Sequence, residues 1–113
     1  MLKYLYKKIL RELRLSQGQL SILKNKLNTD TICAGPFIDG YKMCPNTTAL
    51  SIKLNRNLNK GDVKSLLKTN GVSDLQLKLF YIIFDTPAMI SKSYFQKSLQ
   101  TMQQAISELE QLS

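Results

Sequence analysis

The chain has no histidine. That absence excludes Ser-His-Asp and Cys-His nucleophile pairs, imidazole general bases and most zinc sites. Cysteine occurs only at positions 33 and 44, too few for a disulfide-framework domain or a tetrahedral metal site. Free, partly buried thiols in a reducing compartment are expected, since a bridge would need the two Cα atoms within ~7 Å. Acids are scarce, eight against sixteen Lys/Arg, and none are spaced as a general acid/base pair. No glycine-rich phosphate loop or dinucleotide fingerprint occurs. No apolar run approaches the ~20 residues of a membrane span. Lys3, Lys7, Lys8 and Arg11 interrupt any secretory h-region, so a cytoplasmic location is expected. Neither an enzyme nor a metal or cofactor site is expected.

What is present suits one folded domain over residues 1–113. The hydrophobic fraction is 43% and the charged fraction 21%, ordinary values for a globule with one modest core. Net charge is +8 with a pI near 9.6. Residues 1–60 carry eleven Lys/Arg against Glu12, Asp30 and Asp39, while in residues 61–113 five lysines balance five acids. The whole excess lies in the first half, where an acidic protein, a nucleic acid or an anionic membrane would be drawn.

Residues 2–14 read as a two-sided helix. Leu2, Leu5, Tyr6, Ile9, Leu10 and Leu13 share one arc; Lys3, Lys7, Arg11 and Arg14 share another. Ser16 with Gln19 forms a capping box, stapled by Leu15 and Leu20, and opens a second helix to about Asn28. Residues 29–46 hold two of the three prolines and break the pattern. Asp39-Gly40 between Phe37-Ile38 and Tyr41-Lys42 predicts a type I′ hairpin, or an ordered loop near residues 31–44. Residues 47–58 fit two patterns. Leu50, Ile52 and Leu54 alternate as in a strand, while Leu50, Leu54 and Leu58 fit one helix stripe. The segment leans to helix, beginning at Pro45-Asn46-Thr47 and ending in the asparagines 55, 57 and 59. Asn46-Thr47-Thr48 also matches a glycosylation acceptor but is read as the helix start.

A short helix is expected over 61–69, stopped by Asn70-Gly71. Ser73, Gln76 and a Val72–Leu77 staple start a helix through 75–84, and Pro87 is expected to end it. This run is the most apolar of the chain, and it is expected to sit at the centre of the core with no face in water. Ser91 and an Ile90–Phe95 staple start the last helix. Its seam of Phe95, Leu99, Met102, Ile106, Leu109 and Leu112 suits packing on another helix, or on a second copy in a homodimer through 91–112. The expected fold is mainly α: a compact bundle of four to six helices.

Leu13 to Leu27 could open a helix-turn-helix, but the broken, apolar 29–43 segment cannot supply its recognition helix. Tyr4-Leu5-Tyr6-Lys7-Lys8-Ile9-Leu10-Arg11 resembles the first helix of the LYR-motif family, small helical mitochondrial assembly factors and subunits. The likeness ends there: Lys7 stands where that family has arginine, and its later Phe and Arg positions have no counterpart. What the resemblance implies is an acidic carrier-protein partner. The expected function is a non-enzymatic adaptor, assembly or regulatory protein. It would bind a macromolecule through Lys3, Lys7, Arg11 and Arg14 together with Phe37, Ile38 and Tyr41 of the loop. The rivals are sequence-nonspecific phosphate contact with nucleic acid, adding Lys24 and Lys26, and attachment of helix 2–14 to anionic membrane.

Overall fold

A computed structural model describes residues 1–112 and shows a mainly helical bundle. The elements are α1 (Leu2–Leu13), α2 (Gln17–Lys26), β1 (Ile38–Asp39), β2 (Lys42–Met43) and α3 (Pro45–Leu54). A 3₁₀ turn (Lys60–Asp62) leads into α4 (Val63–Thr69), followed by α5 (Asp74–Phe80), a π turn (Tyr81–Asp85), α6 (Thr86–Ile90) and α7 (Lys92–Gln111). With α5, the π turn and α6 counted as one interrupted rod, six helical rods form the bundle among the described residues. None of them is long and apolar enough to cross a membrane.

The helix starts follow local chemistry. Ser16 and Ser73 each accept the N–H three residues on and receive a glutamine side chain in return, as the two capping boxes predict. Ser91 accepts from the Tyr94 N–H, but Ile90 is 84% exposed and cannot staple to Phe95. α1 ends at Arg14 in the left-handed conformation, so α1 and α2 are separate helices. Gly71, at φ +102, closes α4 as expected; an added Cβ would lie 3.1 Å from the Glu12 carbonyl oxygen. In the hairpin Asp39 pairs with Lys42 and Ile38 with Met43. The two-residue loop is therefore Gly40-Tyr41, one residue later than predicted. Only Gly40 has a positive φ there, which is the pattern of a type II′ turn.

The centre of the core is not the 75–84 run. It is α1, whose inner arc of Leu2, Leu5, Tyr6, Ile9, Leu10 and Leu13 is wholly buried, packed against α7, α3 and α5. α7 supplies Leu99, Met102, Ala105 and Ile106, so the middle of its seam is filled within the chain. The first two turns of α3, Pro45 through Leu50, are buried on every side. Thr47 and Thr48 bond inward. Cys44 Sγ caps the Thr47 N–H, and the Thr48 hydroxyl donates to the Cys44 carbonyl at 2.9 Å.

Of the 75–84 run, Phe80 and Phe84 are buried, whereas Leu75, Leu79, Tyr81 and Ile82 are exposed. Nor does Pro87 stop the helix. The Thr86 N–H reaches back five residues to the Tyr81 carbonyl, and this wider π turn carries the rod past the proline into α6. Proline has no N–H, so the Ile83 carbonyl loses its donor four residues on. The Tyr94 hydroxyl donates to that carbonyl instead. Tyr94→Phe leaves a part-buried carbonyl unpaired, and a loss of about 1–2 kcal/mol is expected in urea unfolding. An unchanged midpoint would remove Tyr94 from that role.

Candidate functional site

Two concave surfaces share α5, one on each side. The first is a cavity of about 670 Å³. Its floor is Cys44 and Asn46 at the start of α3, Asp85 at the end of the π turn, and Phe80, all buried. Pro36, Phe37, Leu77 and Tyr81 form its walls, and Lys60, Lys64 and Lys78 stand exposed at its rim.

The polar groups of this floor are unusually placed. Asp85 is 6% exposed and accepts the Gly35 N–H at 2.8 Å. Gly35 has φ +104, a conformation that favours glycine. Burial pushes the Asp85 carboxyl up to about 6, against the lowering effect of the Gly35 hydrogen bond. Asn46 is 1% exposed, and its Oδ1 has no partner among the described residues. Tyr6 lies beside two residues of the cavity, its ring 6.0 Å from that of Phe80 and its hydroxyl close enough to feel Cys44. That hydroxyl is also buried without a partner, and burial raises its pKa.

Cys33 and Cys44 are free and buried. Burial pushes the Cys44 thiol up to about 12, and raises Cys33 with help from Asp39 and Asp85. Both stay protonated at neutral pH, unlike the low-pKa thiolate of a reactive cysteine.

The second surface is a groove of about 490 Å³ between α1 and α5. Met1, Tyr4, Lys8 and Glu12 form one side, and Leu75, Leu79 and Ile83 the other. Met1, Tyr4 and Leu75 are more than half exposed, so apolar surface lies open along its length. Ile82, in the π turn that follows α5, is also 56% exposed. Arg11 follows Tyr4 and Lys8 along α1 and is exposed.

The seven sequence-predicted binding residues serve different neighbours. Lys3 and Lys7 both donate to Glu108 of α7, Lys3 at 2.9 Å. Those two hydrogen bonds hold the Glu108 carboxyl down at about 2. Arg11 and Arg14 remain exposed. Phe37 and Ile38 are half-buried against the core, and Phe37 also lines the cavity. Tyr41 stands 81% exposed at the hairpin tip. Asn46 and Asp85 were read from the sequence only as a helix start and a helix end. The available signal was Asp85 directly after an apolar run, where the chain drags a carboxylate inward with Phe84. No protein-family model, curated protein or solved structure matches this chain.

Proposed function

We propose that the protein is a non-enzymatic binding module, an adaptor, assembly or regulatory factor, whose groove between α1 and α5 takes an acidic amphipathic helix of a protein partner. One observation carries this reading: the apolar side chains of Tyr4, Leu75 and Leu79 lie open in the groove, which Lys8 and Glu12 also line, and Arg11 and Arg14 stand exposed farther along the chain. Contiguous exposed apolar surface of this kind marks docking sites, and an amphipathic helix lays its apolar face into such a groove. The charge sets the partner's sign. Glu108 offsets Lys3 and Lys7, while Lys8, Arg11 and Arg14 form no ion pair among the described residues and stay exposed.

The test uses two synthetic helices with the same leucine face, one with glutamates and one with lysines on the polar face. Fluorescence anisotropy should show binding of the glutamate helix, a Kd raised at least about tenfold by Leu75→Glu with Leu79→Glu, and weakening by salt. Equal binding of both helices, or indifference to the leucine changes, overturns the groove reading. Binding of random-sequence RNA but neither helix, lost with Lys8, Arg11 and Arg14, would favour phosphate contact instead.

A further inference from the structure

The cavity on the opposite side of α5 is independent of the groove. Leu75 and Leu79 face the groove, whereas Leu77, Phe80 and Tyr81 belong to the cavity. Its volume of about 670 Å³ falls within the ~300–1,000 Å³ of small-molecule sites, which are apolar pockets with a few convergent polar groups.

Three features of the cavity specify a ligand. The walls offer aromatic and aliphatic surface from Phe37, Leu77 and Tyr81, and Phe80 adds a ring at the floor, suited to a flat apolar body. The floor offers an acceptor, the Asp85 carboxylate, whose one hydrogen bond is to the Gly35 N–H; Asn46 Oδ1 has no partner but is closed to the cavity's solvent. A carboxylate accepts more than one hydrogen bond. A hydrogen-bond donor at the inner end of a ligand supplies another. The rim offers Lys60, Lys64 and Lys78, none in an ion pair among the described residues. Asp74, the nearby rim acid, is already engaged by Lys68 at 3.0 Å.

We propose that this cavity is a binding site for a small amphiphile with a flat apolar body, a hydrogen-bond donor at its inner end and an anionic group at its outer end. The donor meets Asp85, the body lies between Phe37 and Phe80, and the anion meets the rim lysines.

Indole-3-butyrate is a probe with all three parts. 1-Naphthalenebutyrate lacks the N–H, and 3-methylindole lacks the carboxylate. Calorimetry and amide NMR shifts on the full chain should show indole-3-butyrate binding, with shifts gathered at Gly35, Asn46 and Leu77. The other two probes should bind at least about tenfold more weakly. Joint Lys60→Gln, Lys64→Gln and Lys78→Gln replacement alters exposed positions and should raise the Kd about tenfold or more while leaving the folded spectrum intact. Asp85→Leu should also weaken indole-3-butyrate; should that variant not fold, the naphthalene probe still tests the donor. No shifts at millimolar indole-3-butyrate, shifts gathered instead along the groove, equal binding of the naphthalene analogue, or indifference to the lysine changes each overturn the proposal.

Discussion

Phe84→Ala is expected to cost about 3–5 kcal/mol, a large part of the stability of a domain this size. Phe84 is fully buried between two rings, with centroids 5.2 Å from Phe80 and 6.0 Å from Phe95. Phe80 continues the row to Tyr6 of α1. Removing the middle ring leaves a cavity that the surrounding side chains cannot collapse to fill, and ends two ring contacts. Leu75→Ala and Ile82→Ala lie in the same apolar run but at positions 65% and 56% exposed. Each should change stability by no more than about 0.5 kcal/mol. Chemical denaturation of the three variants separates the two halves of the run. Similar losses at all three positions would restore the expectation that the whole run is core.

Asp85→Asn is expected to stabilise the protein at neutral pH and to flatten its pH dependence. The folded carboxyl sits at about 6, against an ordinary value of 3.8, because burial disfavours its charge. Folding therefore favours the protonated form. The contribution of Asp85 is fully present below pH ~4 and is lost as pH rises through about 6, a difference on the order of 2–3 kcal/mol. Asparagine keeps an oxygen for the Gly35 N–H and carries no charge, so the variant should gain roughly that amount at pH 7–8. Glu108 acts with the opposite sign. Lys7 and Lys3 hold its carboxyl down at about 2, so its contribution is present above pH ~4.5 and fades as pH falls toward 2. Thermal melts from pH 3 to 8 check both groups. A slope between pH 4 and 7 that survives in Asp85→Asn would assign it to another group.

What could be read from the sequence was what neighbouring residues decide among themselves. Ser16, Ser73 and Ser91 each start a helix with partners three residues away, and those positions are fixed by local chemistry. The arc of Leu2 to Leu13 is buried as its spacing predicts. The buried start of α3 was not legible. Asn46, Thr47 and Thr48 look solvent-facing, and only the elements packed around α3 make their burial tolerable. The exposure of Leu75, Leu79 and Ile82 was equally hidden, because apolarity alone does not reveal which face of a helix finds a neighbour. Lys3 and Lys7 seemed free because Glu108 is a hundred residues away in sequence and adjacent only in the fold. The candidate cavity combines residues 35–85 from four separate segments, and no local pattern carries that.

The π turn at Tyr81–Asp85 also makes chain length itself a variable. One residue corresponds to about 100° of helical rotation, and a π turn holds one residue more than the α turn it replaces. A deletion in the α-helical part of the rod would swing all that follows by that angle. A single-codon deletion among residues 81–84 would instead let the rod close as ordinary α-helix with α6 still in phase with α5, because the wider turn already absorbs the extra residue. Asp85 would keep the Gly35 N–H, and Met89 would stay packed under Gly35. The side of α5 that carries Leu75 and Leu79 lies before the deletion and keeps its orientation. Two chains differing by one residue here would then share both the groove and the cavity.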